Sequence, residues 1–293
     1  MKDRLESFGG RGSTLVFAHA NGYPPGAYRQ LLEPLTAHCE VIGYRHSPLW
    51  QGRQAQPAPA RANWRQFAED LADTLTDRAA GGAEPVWMMG HSLGAVVSMM
   101  AAVKRPQLFR GLILLDPVFL PARQAIGMAL TPDSAMRRMP LVRKTLLRPS
   151  RFSDAQAAFD FHRAKRPFAR MSDESLWDYV RAGTRPGDSG QNALQDTGEP
   201  AGPGVELAWS PAWEAAVYAS VPLVWPRLLR LRLPTLGLRG EASDILSPAA
   251  LRRWQRLQRG AQLETCPGGH LFPIEHPAAT AARVARFITE QGG

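Results

Sequence analysis

The sequence is poor in cysteine, short of acids, and without any long apolar run. Only two cysteines, Cys39 and Cys266, occur in 293 residues. Each lies in or beside an apolar stretch, so both read as small core residues and not as a disulfide framework. No group of cysteines and histidines has metal-ligand spacing, so neither a metal nor a cofactor is expected. No run of about 18 apolar residues occurs, so no helical membrane span is expected. The first seven residues, Met1 to Ser7, are charged and lack the apolar segment of a signal peptide. With cysteine so sparse, the expected location is the cytoplasm. No internal repeat is present.

Acids number 26 against 35 bases, a net charge of +9. The bases are mostly arginine, spread along the chain without a nucleic-acid-binding motif. No nucleic-acid partner is expected, and a solvated, arginine-rich surface accounts for most of them. One stretch differs. Arg137, Arg138, Arg143, Lys144, Arg148 and Arg151 follow one another without an acid, with Met139, Leu141, Val142, Leu146 and Leu147 between them. Two readings are open: a helix packed by its apolar face with arginines in solvent, or a basic amphipathic surface with weak contact to lipid.

What is present centres on Val86 to Val103. The apolar run Val86-Trp87-Met88-Met89 stops at Gly90-His91-Ser92-Leu93-Gly94, and a small-residue, helix-compatible stretch follows. The pattern predicts strand, tight turn, helix, with Ser92 at the apex of a G-x-S-x-G elbow. Two glycines flank the serine because side chains there would collide as the chain folds back. The new helix would point free N–H groups at the site, which favours a developing oxyanion. The competing reading is Ser92 as an ordinary helix cap.

Apolar runs alternate with helical spacing through the first 117 residues. Ser13–Ala18, Glu40–Tyr44, Val86–Met89 and Gly111–Leu115 read as strands, and Ala27–Ala37 and Trp64–Arg78 as helices. Such alternation implies a parallel sheet covered on both faces. From 118 to 232 the pattern is helical with no clear strand, and Gly183 to Gly204 reads as a long loop. Strands at Leu233–Leu238 and Ala261–Cys266 and helices at Pro248–Gln258 and His276–Gln291 then restore the α/β order.

Four motifs now stand in order: His19-Ala20-Asn21-Gly22, Gly90-His91-Ser92-Leu93-Gly94, Gly240-Glu241-Ala242-Ser243-Asp244 and Gly268-Gly269-His270. With them the sequence resembles a cap-bearing α/β-hydrolase with a serine nucleophile. The resemblance implies a mostly parallel sheet covered by helices on both faces, with residues 1–117 and 233–293 as the core. Residues 118–232 would form a helical cap inserted before the penultimate strand. Two departures stand out. Ala20 replaces the glycine usual after the loop histidine, and only about a dozen residues precede the first strong strand, room for one N-terminal strand at most.

The resemblance assigns roles. Ser92 attacks a carbonyl, His270 takes its proton and returns it to the leaving group, and Asp244 orients the imidazole. Asp116, at the end of an earlier strand, and Glu241 are the other acids considered. The backbone N–H groups of Asn21 and Leu93 would form the oxyanion hole. His19, Tyr23, His91 and Asp116 are candidate pocket residues, and His276 a helix-start residue. A serine nucleophile points away from aspartate-nucleophile dehalogenase and epoxide chemistry. The expected activity is hydrolysis of a hydrophobic carboxylic ester or lactone through an acyl-enzyme, with a small acyl substrate as partner. C–C bond hydrolysis, acyl transfer, and ligand binding without turnover are the alternatives.

Overall fold

A strand that must be followed by a covering helix returns to the sheet in its original direction. The computed structural model, which describes residues 3–52, 56–187 and 204–292, shows that outcome. The first part of the chain runs β1 (Leu5–Gly9), β2 (Thr14–Ala18), α1 (Arg29–Leu35), β3 (Glu40–Tyr44), α2 (Trp64–Ala80), β4 (Val86–His91), α3 (Leu93–Lys104) and β5 (Phe109–Leu115). The expected cap of α2 forms, with the Asn63 side chain accepting from the N–H groups of Arg65 and Gln66.

The chain then leaves the sheet. It forms α4 (Ala122–Leu130), α5 (Asp133–Met136), α6 (Pro140–Leu146), β6 (Arg151–Phe152), α7 (Ala155–Arg163), α8 (Asp173–Gly183), β7 (Thr184–Pro186), β8 (Val205–Leu207), α9 (Pro211–Tyr218) and α10 (Trp225–Leu228). It returns through β9 (Thr235–Gly240), α11 (Pro248–Leu257), β10 (Gln262–Cys266), α12 (Phe272–Glu275) and α13 (Pro277–Glu290).

The seven-stranded sheet has the order β1-β3-β2-β4-β5-β9-β10. Only β1 is antiparallel to its neighbour. It is the strand that precedes β2 among the described residues. The pleat divides the core into two layers. Met88 of β4 packs with Val16, Leu112 and the helices α2, α3 and α11, while its neighbours Trp87 and Met89 pack with Phe17, Ile113 and the helices α1 and α13. Helix α3 is buried from Leu93 to Ala102, which is why its sequence shows small and apolar residues all round.

Three details differ from the sequence reading. The stretch between β5 and β9 does contain strands, a three-stranded antiparallel sheet of order β6-β8-β7. Its strands have only two or three residues, too few for alternation to show, and the ion pairs of Arg151 and Arg185 with Glu206 help to hold it. The basic stretch is not one helix. Pro140 starts α6 and keeps Met139 extended (φ −59°, ψ 136°), which separates α5 from α6. Thr184–Pro186 forms β7 within the expected long loop, and residues 188–203 of that loop lie outside the described residues. Cys39 and Cys266 are both free thiols.

Trp254 anchors the α11 side of the sheet. It is fully buried, its ring centroid lies 5.0 Å from that of Phe119, and its indole N–H donates to Gln258 Oε1 at 2.8 Å. Gln258 in turn donates to Thr235 Oγ at the start of β9. Trp254→Ala is expected to cost about 3–5 kcal/mol of stability, read as a lower guanidinium midpoint at unchanged slope.

Candidate active site

The elbow between β4 and α3 forces Ser92 into φ 55°, ψ −112°, a region that side-chain-bearing residues rarely occupy. The surroundings hold it there. A Cβ on Gly90 would lie 2.5 Å from the Gly94 backbone, and one on Gly94 would lie 2.0 Å from the carbonyl oxygen of Ala18. Both contacts are with backbone, so neither could relax. The Ser92 N–H donates to Leu115 O at 3.0 Å, which ties the turn to the end of β5.

The side chain of Ser92 meets His270 from the turn after β10. Its Oγ lies 3.0 Å from His270 Nε2. On the other side of the ring, His270 Nδ1 donates to Asp116 Oδ2 at 2.6 Å. A carboxylate can only accept here, so the Nδ1 proton leaves Nε2 free to accept from the serine hydroxyl. Asp116 is fully buried at the end of β5. Its Oδ1 accepts the Gly240 N–H at 3.0 Å and its Oδ2 also accepts the Ser243 hydroxyl.

This arrangement corrects the expectation that Asp244 orients His270. The loop after β9 does face the site, but the side chain it turns inward is Ser243. The Ser243 hydroxyl donates to Asp116 and accepts from the N–H groups of Ile245 and Leu246. Asp244, one residue later, is exposed, as is Glu241. Asp116 is therefore not a pocket-lining residue either. It sits behind the imidazole.

The other candidate residues divide. Asn21 and Leu93 are buried beside the elbow, and neither N–H has a hydrogen-bond partner among the described residues. His19 and His91 line no pocket; both are fully buried connectors. His19 Nδ1 donates to Ala20 O, and its Nε2 accepts the His46 N–H. His91 Nε2 donates to the carbonyl of His270, so its Nδ1 accepts the Tyr28 hydroxyl at 2.7 Å. Tyr28 in turn accepts the Ala20 N–H. One chain of hydrogen bonds thus joins the His19–Gly22 loop to the backbone of His270. Tyr23 is half-buried and packs on Phe168 and Tyr179. His276 stands at the N-terminal position of α13 without a side-chain cap.

Four participants were not legible in the sequence: Tyr28, Ser243, Arg148 and Glu214. Arg148 pairs through both terminal nitrogens with Glu214 of α9. The Glu214 carbonyl accepts Asn21 Nδ2 at 3.1 Å, so this pair abuts the loop beside Ser92. Burial pushes the Glu214 carboxyl up, against the opposing pull of Arg148.

Residues 15–283 match the family model described as "Alpha/beta hydrolase family". The chain therefore belongs to the α/β-hydrolase family. Among curated relatives, it is 28% identical over 113 residues to the monoglyceride lipase of Rattus norvegicus, covering 38% of this chain and 37% of that protein. The chain thus matches little more than a third of the length of that relative. It is 26% identical over 223 residues to the 2-(acetamidomethylene)succinate hydrolase of Mesorhizobium japonicum, covering 76% of this chain and 69% of that one. Among solved structures, E-2-(acetamidomethylene)succinate hydrolase superposes with a TM-score of 0.74 at 22% identity, covering 97% of this chain and 94% of that one. A thioesterase domain from the curacin biosynthetic pathway gives 0.70 at 19% identity, covering 96% and 93%. The structural likenesses establish the shared fold.

The buried histidines make stability depend on pH. Burial, the largest cause in each case, lowers the pKa of His19, His46, His91 and His162, to about 4 for His46 and His162. Above the unfolded value near 6.5 these rings are neutral in both states. Below it the unfolded chain binds protons that the folded one refuses, so stability falls as pH drops from 6.5 towards 4. For one ring with a folded pKa of about 4, the loss at pH 5 is about 2 kcal/mol. Urea unfolding at pH 7 and pH 5 is expected to show a smaller difference in His162→Gln, by about that amount.

Proposed function

We propose that this hydrolase cleaves a hydrophobic carboxylic ester or lactone through an acyl-enzyme intermediate. The observation that carries the reading is the unbroken line Ser92 Oγ, His270, Asp116, at 3.0 and 2.6 Å. A serine hydroxyl is a weak nucleophile at neutral pH and needs a base within hydrogen-bond reach. His270 Nε2 is that base. As Oγ attacks the substrate carbonyl, the proton passes to Nε2, and the buried Asp116 carboxylate stabilises the imidazolium. The carbonyl oxygen becomes an oxyanion held by the N–H groups of Asn21 and Leu93, worth about 10²–10³ in rate for each such donor. His270 then protonates the departing alcohol. A water molecule, deprotonated by the same nitrogen, attacks the acyl-enzyme and frees the acid.

The aromatic group of Tyr23, Phe168 and Tyr179 supports an apolar substrate. In this reading residues 1–117 and 233–293 form the catalytic core and 118–232 the cap that shapes the pocket. The monoglyceride lipase relative, an ester hydrolase by its name, favours the same class of bond.

Hydrolysis of p-nitrophenyl esters of rising acyl length is expected for the native enzyme and is abolished in Ser92→Ala. Asp116→Asn is expected to lower kcat by about 10³–10⁴, while Asp244→Asn stays within about two-fold of native, as expected of a surface change. A collapse in Asp244→Asn with Asp116→Asn active would reverse the assignment of the acid. No turnover of any ester by the folded native protein would set the ester reading aside.

A further inference from the structure

Among the described residues seven large apolar side chains are exposed, and six of them lie between Ile126 and Leu147. They are Ile126, Leu130, Met139, Leu141, Leu146 and Leu147, with Leu130 79% and Leu147 73% exposed. They stand on α4, on α6 and on the turns beside these helices. The same helices bury other residues inward. Met136 of α5 and Val142 of α6 pack with Ala215 of α9 and Ala219 just beyond it, so the outward face is a real surface of a packed layer. Arg61 fixes its corner by hydrogen bonds to the carbonyls of Met128, Thr131 and Ala219 and an ion pair with Asp133.

Cations are set among these apolar side chains. Arg123, Arg137, Arg138, Arg143 and Lys144 are all exposed, and none has an ion pair among the described residues. The one acid of this stretch, Asp133, is taken up by Arg61. The face is therefore apolar and positive at once, on a chain with a net charge of +9.

We propose that this face docks on an anionic lipid bilayer, with the leucines entering the acyl boundary and the bases at the headgroups. A second copy of the chain would bring five unpaired cations against five more, which disfavours self-association. The exposed apolar side chains are all aliphatic, without the tyrosine, tryptophan or phenylalanine that enrich protein interfaces. Long aliphatic chains flanked by arginine and lysine suit the interface of a bilayer. The face is also well placed. Helix α6 packs on α9, whose Glu214 carbonyl holds Asn21, and Arg148 just beyond α6 clamps the Glu214 carboxylate. A surface that meets lipid would lie one helix layer above the nucleophile.

The test uses cosedimentation of the full chain with vesicles of phosphatidylcholine, with and without 30% phosphatidylserine. The expected result is binding to the anionic vesicles, much weaker binding to neutral ones, and release at high salt. Each base near an anionic surface contributes roughly five-fold to partitioning. Arg143→Glu with Lys144→Glu should therefore lose at least about 25-fold. Leu130→Ser with Leu147→Ser should also weaken binding, and both variants should keep the native melting temperature because all four sites are exposed. The readout is independent of what the enzyme hydrolyses. Failure of the native chain to sediment, equal sedimentation of native and variant chains, or a dimer in sedimentation velocity that both variants abolish would overturn the proposal.

Discussion

The closeness of α3 to the sheet at Gly90 and Gly94 is the constraint on which the rest depends. With backbone atoms filling the space of both missing side chains, the chain can turn from strand to helix only through a residue with positive φ. Such a conformation costs on the order of 1–3 kcal/mol and survives only where its surroundings over-determine it. Here the Ser92 N–H is fixed to β5, and α3 is buried along nearly its whole length. The strain is carried by a helix that cannot move away.

Parallel strands add a second constraint. Their C-terminal ends share one edge of the sheet, so residues far apart in sequence meet there. Ser92 follows β4, Asp116 follows β5, Gly240 and Ser243 close β9, and His270 follows β10. Asp116 also has positive φ, 41°, and so the acid, like the serine, sits at a forced turn. A buried carboxylate is tolerable only with donors around it. Asp116 has three: the Gly240 N–H, the Ser243 hydroxyl and the His270 ring. The β9 loop thus serves the site by holding the acid that an adjacent strand supplies.

This explains which parts of the site could be read in advance. The sheet, the serine and the histidine are written locally, in apolar runs and in glycines whose spacing has a steric cause. The acid is not. Asp116 directly follows β5 and Asp244 lies in the loop four residues past β9, and both are acids placed after a strand. What decides between them is that Ser243 turns inward to the Asp116 carboxylate, a contact across 127 positions. Tyr28 and His91 are 63 apart, and Arg148 and Glu214 are 66 apart. No periodicity links such pairs. The short strands β6, β7 and β8 escaped for a related reason, since their pairing partners are remote and two or three residues are too few for a repeating alternation to stand out.

The Arg148–Glu214 pair shows how the segment between β5 and β9 joins the core. Burying two charges costs more desolvation than their attraction reliably returns, so such a pair is weak evidence of added stability. Its position is more informative. A Cβ on Gly22 would lie 3.2 Å from the Glu214 carboxylate, the Glu214 carbonyl takes the Asn21 side chain, and Tyr218 donates to the same carboxylate. The amide of Asn21 is itself held by the backbone carbonyl at position 214, whatever side chain stands there. Directional bonds fix it, and with it the backbone that precedes Gly22. On the opposite side the Tyr28–His91 chain fixes the same loop to the turn that carries His270. The loop is therefore held from both sides by hydrogen bonds, and the basic, leucine-bearing layer above it is joined to the Ser92 side of the sheet through a single helix.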